Sequence, residues 1–165
     1  AKYYGIYFGN PQINLYVKMA CFAVSPSNAK ESELLLLETI AVETNNGNAK
    51  DYSPIYGEGL TQFDKETFYY IRDLISTDKK YKKVYNRVKA ICFVDIAKLK
   101  YEDMRKKPLA NIVLSRLLYF VKPGAIPTTF DGRWKYYKKW WNSTAGATTY
   151  AKYVSASKRA LYHVA

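Results

Sequence analysis

One histidine and two cysteines are all this chain offers to the commonest catalytic and metal-binding chemistries. His163 lies among the last three residues and reads as a tail residue. A Ser-His-Asp or Cys-His site needs an imidazole held in place by the fold, which such a position does not supply. A hydrolytic zinc site needs two or three His or Cys ligands, and these are missing as well. Cys21 and Cys92 are far apart, form no CxxC pair and sit in the apolar contexts "KMACFAV" and "AICFVDI". They are expected to be buried thiols. No GxxxxGK[ST] or GxGxxG segment is present, so no common nucleotide-phosphate cradle is expected, and neither is a cofactor or metal. No apolar run reaches the ~18 residues of a membrane-spanning helix. The clusters at 34–37 and 112–121 are short and fit buried helices. No signal peptide is visible. A chain that begins at Ala1 without Met is expected to have lost a start residue or an upstream segment. By elimination, carboxylates are the expected catalysts of any reaction here.

What the chain has is apolar bulk, tyrosine and positive charge. Its 165 residues suffice for one domain with a real core, 48% of them are hydrophobic, and 16% are aromatic. Lys and Arg total 26 against 14 acids, a formal charge of +12. Such a surface attracts polyanions: nucleic acid, anionic membrane or anionic cell wall. The abundance of Lys, Asn, Tyr and Ile is equally what an A/T-rich genome would encode.

The element pattern is mainly α. Residues 1–18 are rich in Tyr, Ile and Val around a Gly-Asn-Pro turn, which predicts an arm or short β-hairpin. A first helix is expected from about residue 17 to 24. Asn28 is placed as the N-cap of a helix over about 29–44, with Glu31 three residues on. Residues 45–59 read as a loop. Further helices are expected over 61–76, 79–93, 107–121, 131–142 and 149–162. "KPGAIPTTF" breaks the chain between the third and fourth of these.

Glu43 closes the apolar helix. At 100° per residue it lies about 20° from Leu36 and about 60° from Ile40, so it continues the apolar face, while Glu38, about 140° away, is expected to face solvent. A carboxylate half-buried against aliphatic groups has a raised pKa, because desolvation disfavours the anion. A carboxyl group still protonated near neutrality is what general acid catalysis at a glycosidic oxygen requires. A helix-end Glu reaching into water is the plainer alternative. In the following "YGEGLTQF", Gly57 and Gly59 permit a tight turn or close approach of backbone to a ligand. Gln62 supplies a donor and an acceptor, and Leu60 and Phe63 are expected to anchor the turn.

"ETNNG…GEGLTQF" resembles the first two motifs of the lysozyme-like superfamily, in its goose-type lysozyme and soluble lytic transglycosylase branch. Glu43-Thr44 matches the Glu-hydroxyl pair at a helix end, and Gly59-Leu60-Thr61-Gln62 matches the end of a Gly-x-x-Gly-Leu-Met-Gln segment. Trp141-Asn142 followed by Gly146 looks like a drifted Tyr-Asn-x-Gly motif, with Trp141 keeping the ring but not the hydroxyl. "RLLYFVKPGAIP…WKYYKKWWNSTAGATTYAKYV" is similar to the C-terminal half of phage-encoded lysozyme-like proteins. The resemblance covers roughly residues 19–160. It implies a lysozyme-like catalytic domain over 19–165, an endolysin or virion-associated muramidase encoded by a phage and acting on the host cell wall. Bacterial peptidoglycan would be its partner, with anionic envelope polymers attracted by the charge, and it would work as a monomer.

The resemblance further implies Glu43 as general acid. Thr44, Tyr56, Gln62, Phe63, Tyr137, Trp141 and Asn142 are expected to meet substrate. Asp51 and Glu58 are the nearby candidates for the second carboxylate that glycosidases usually use, and Asp64 is expected instead to stabilise a helix start. The lytic transglycosylases need only the one acid. In "RWKYYKKWW", Trp134 is expected in the core, Tyr137 and Trp141 in core or sugar cleft, and Lys135, Lys138 and Lys139 in solvent. Two readings compete with the muramidase: a nucleic-acid-binding module built on the Lys/Tyr/Trp surface, and a phage structural protein that has lost catalysis.

Overall fold

A computed structural model describes residues 3–50, 57–142 and 146–164, the last four as backbone only. Its described residues are mainly helical, in agreement with the sequence. The order is α1 (Asn10–Val24), α2 (Ala29–Thr44), α3 (Lys65–Thr77), α4 (Lys82–Cys92), the short α5 (Asp103–Lys106), α6 (Pro108–Phe120), α7 (Phe130–Tyr137) and α8 (Tyr150–Val164). The one described β-bridge joins Glu58 to Phe63.

Among the described residues of 1–18 no hairpin is formed, because residues 10–18 are helical. Gly9, at positive φ, leads directly into α1, with a proline in its first turn. Proline there lacks only an N–H that would be unpaired anyway, and its fixed φ suits a helix. α1 buries Ile13, Val17, Ala20 and Cys21 and packs against α6, α4 and α2. This burial outweighs the strand preference of the Tyr and Val side chains. Cys21 and Cys92 are buried free thiols, as expected.

α2 is the central element, touching α1, α6, α7 and α8. Asn28 stands at its N-cap position, but the side chain makes no capping bond. The helix is buried on nearly every side: Leu35, Leu36, Leu37, Glu38, Thr39, Ile40 and Ala41 are all inside. Glu38 therefore does not face solvent. It has no exposed surface and pairs with Arg133 of α7, whose Nε and Nη2 donate to its two oxygens at 2.8 and 3.0 Å. The Tyr153 hydroxyl of α8 donates a third bond at 2.8 Å. A buried charge needs such a set of partners, and here they clamp α7 and α8 to α2.

α3 starts at Lys65 rather than at 61, with Asp64 in the expected helix-start role, its N-cap carboxylate accepting from the Thr67 amide at 3.0 Å. α7 ends differently from the expected helix over 131–142. It passes into a π-helical turn, Lys138–Asn142, which changes the register of the side chains that follow.

Candidate active site

Glu43 sits in the last turn of α2, where the helix stops on Asn45 and Asn46, both at positive φ. Polar Asn tolerates this left-handed conformation, which lets the chain leave the helix at once. Glu43 is partly buried, and no cation lies within ion-pair distance among the described residues. Its one described hydrogen bond comes from the Tyr137 hydroxyl, 3.2 Å from Oε2. Burial pushes its pKa from an ordinary 4.5 up to about 7, and the Tyr137 bond opposes that rise. Position at a helix C-terminus adds to the bias against the anion, since the dipole is negative there. Burial, followed by the facing Glu43 carboxylate, pushes the Tyr137 hydroxyl well above its usual value, so it stays a donor.

Thr44 is a brace. It is buried, and its hydroxyl donates to the Leu60 carbonyl at 2.7 Å and accepts from the Gly47 amide at 3.1 Å. The hydroxyl after the acid thus ties the helix end to the Gly-Leu turn and is not presented to a substrate. The turn itself is fixed by its own backbone. A Cβ on Gly59 would come within 1.8 Å of the Met104 carbonyl oxygen, and one on Gly57 within 2.4 Å of the Gln62 carbonyl oxygen. The close approach that these glycines permit is to the protein rather than to a ligand. Phe63 is buried and meets Trp141 edge-on, with ring centroids 5.5 Å apart. Gln62 takes positive φ, its Nε2 donates to the Gly59 carbonyl at 2.9 Å, and its Oε1 is buried without a partner.

Of the two carboxylates expected beside Glu43, Glu58 pairs with Arg105 at 3.5 Å. Asp51 lies outside the described residues, as does Tyr56. Tyr137, one turn before Trp141, is fully buried and reaches Glu43 through its hydroxyl alone. Trp134, expected in the core, is partly buried at its edge and packs on Tyr137, Tyr150 and Tyr153. Trp141 is partly exposed and rests on the Tyr119 ring. Asn142 accepts from Lys138 Nζ at 2.7 Å and donates to the Thr148 hydroxyl at 3.2 Å. Lys138 is not simply solvated, because its ammonium also reaches the Gly146 and Thr148 carbonyls. Tyr137 forms a polar framework with Glu38, Arg133 and Lys138, which periodicity misplaced or missed. The one available signal was the isolated Glu38 within an apolar run, which demands a cation from elsewhere in the chain.

Two openings flank this framework. A hollow of about 110 Å³ is lined by Gln62, Phe63, Asp64, Leu118, Lys122, Trp140 and Trp141. A wider groove of about 550 Å³ runs between α2 and α8, lined by Val42, Thr148, Lys152, Ser155 and Arg159. Glu43 lies on neither wall, although its neighbour Val42 and Thr148, a second acceptor for Tyr137 at 3.4 Å, border the groove. No group of three metal-ligating side chains occurs among the described residues. No family model, curated protein or solved structure matches the chain.

Proposed function

We propose that this protein cleaves the β-1,4 bond between N-acetylmuramic acid and N-acetylglucosamine in peptidoglycan, with Glu43 as the general acid, as a phage-encoded muramidase. The observation that carries the reading is a carboxyl group without a cationic partner, held by a tyrosine hydroxyl at the end of a buried helix, with its pKa pushed up to about 7. Such a group still holds its proton near neutrality and gives it to the glycosidic oxygen as the C1–O bond breaks. The leaving sugar takes that proton as a hydroxyl, and C1 is left as an oxocarbenium-like centre. Glu43, now an anion, then takes a proton from the nucleophile that attacks C1. The partly exposed rings of Trp140 and Trp141 offer the stacking surface that sugars need. The positive surface draws the enzyme to anionic envelope polymers.

A second reading concerns the nucleophile. Glu58 is tied to Arg105, and no described carboxylate lowers or raises the Glu43 pKa. One-acid chemistry needs no second carboxylate: in it the sugar's own 6-hydroxyl attacks C1, passes its proton to Glu43 and closes a 1,6-anhydro ring. In hydrolysis, water takes that place and the product has a free reducing end. Mass spectrometry of the muropeptides separates the two by one water.

Clearing of a peptidoglycan suspension tests the shared claim. Glu43→Gln keeps the shape and removes the proton, so activity is expected to fall by a factor on the order of 10² or more with the fold intact. Clearing by the variant at the wild-type rate would reject Glu43. Salt-sensitive DNA binding by a wild type that clears no wall would favour the nucleic-acid module instead.

A further inference from the structure

Arg116 is a cation of the core with no evident counter-charge. It is 2% exposed, and its Nε and Nη1 atoms are sealed from solvent without a hydrogen-bond partner. No carboxylate lies within ion-pair distance of it among the described residues. Its guanidinium carbon stands 5.8 Å from the centroid of the Phe120 ring, an attraction far smaller than the hydration lost. Burial pulls its pKa below the usual value, yet a guanidinium keeps its charge at neutral pH.

Arg116 is also part of the wall of a hollow of about 180 Å³, with Ser25, Asn28, Tyr119, Phe120, Gly124, Ile126 and Tyr136. This hollow shares Tyr119 with the aromatic cluster around Trp141, and neither Glu43 nor Tyr137 lines it. The Tyr119 and Tyr136 hydroxyls bond to Thr39 and to the Tyr119 carbonyl, so neither answers Arg116. The Asn28 side chain, which makes no helix-capping bond, stands with Ser25 on the polar part of the wall.

We infer that this hollow is a binding site for a monocarboxylate with a short apolar body, its carboxylate paired with the Arg116 guanidinium. The planar fork of a guanidinium matches a carboxylate with two parallel hydrogen bonds. One buried cation balances one negative charge, whereas a phosphate dianion would bring in a second, unbalanced charge. Aromatic and aliphatic walls suit the apolar body. A cavity of about 150 Å³ accommodates benzene, so this one takes a ligand of about six to nine heavy atoms. Ser25 and Asn28 are placed to meet an amide next to the carboxylate, as in the end of a peptide. A turn of the Arg116 side chain toward the hollow brings its fork to the ligand.

The test is calorimetric titration of the full chain with isobutyrate, for a free acid, and with N-acetylalanine, for a peptide end. Neutral isobutyramide is the control. Both acids should bind with one-site saturation and the amide should not. N-acetylalanine binding at least about tenfold more tightly marks a peptide end as the source, and equal affinities mark a free acid. Arg116→Met should weaken both acids at least about tenfold. Without ligand, it should also melt above the wild type, because it removes an unbalanced buried charge. Arg116→Lys keeps the charge without the fork and should also weaken binding, and it decides the matter if the Met variant does not fold. Absence of saturable binding by either acid, equal binding of the amide, or undiminished binding by the variants would overturn the site. So would an unliganded Met variant that folds but melts below the wild type, since Arg116 would then have a partner within the protein.

Discussion

Glu38 lies in the middle of α2 with no exposed surface, and its two oxygens receive bonds from Arg133 and Tyr153. Glu43, five residues on, is partly exposed and receives one bond from Tyr137. The more deeply buried of the two is the one that the fold equips to carry a charge. Depth alone does not decide the state of a carboxyl group. A cation with good geometry supports the anion, and desolvation without one favours the protonated acid. The same helix therefore carries a structural clamp and the carboxyl group proposed as proton donor, and α7 supplies the partner of each: Arg133 for the first and Tyr137, four residues later, for the second.

The largest effect should come from breaking the clamp. Arg133→Met leaves Glu38 buried without its cation, which is expected to cost about 3–5 kcal/mol of stability in urea unfolding at pH 7. Glu38→Leu in the same chain should recover most of that loss. A single variant as stable as wild type would mean that the pair contributes nothing and that the contrast with Glu43 is empty.

A smaller effect should appear in the pH dependence of stability. The folded-state pKa of Glu43 is raised above its unfolded value, so the folded protein holds the proton more tightly. The wild type should then lose stability as pH rises from about 4.5 to about 7 and level off above, by at most on the order of 3 kcal/mol from this group. Glu43→Gln lacks that term. Its stability relative to wild type should be flat below pH 4, rise through the window and stay higher at pH 8. A difference that does not change with pH would contradict the raised pKa.

Tyr137→Phe should act in the same window and more weakly. Its hydroxyl lowers the Glu43 pKa, so its loss should raise that pKa further, by up to about one unit. The pH at which wall-clearing activity declines on the alkaline side should move upward with it. A downward shift would show that Tyr137 holds the protonated form of Glu43 instead of the anion.

The helices of the chain were legible where apolar runs and Pro or Asn punctuation agreed, as for α2 and α6. The start of α1 was not, because Tyr and Val favour strands locally while Ile13 and Val17 bury themselves in a helix. Glu43 was legible as a half-buried acid, and Asp64 as the start of α3. Glu38 was misplaced for a physical reason. A helical wheel assumes one wet face, and α2 has almost none, so an angle of about 140° from Glu43 led into protein instead of water. Tyr137 was legible as a site residue, whereas the π-helical turn that follows it shifts the register of 138–142, which a regular period does not foresee. Thr44 and the two glycines of the turn could be located in sequence, but whether they faced ligand or protein depended on Leu60 and Met104, distant partners that no local pattern reveals.

The central claim is that burial, with no cation within ion-pair distance among the described residues, raises the Glu43 pKa to about 7. Carbon-13 NMR of the Glu43 side-chain carboxyl across a pH titration of the intact protein measures this directly. The account predicts a midpoint of about 7, well apart from the surface glutamates. A midpoint at the ordinary glutamate value of about 4.3 would contradict it and remove the ground for proposing Glu43 as a general acid.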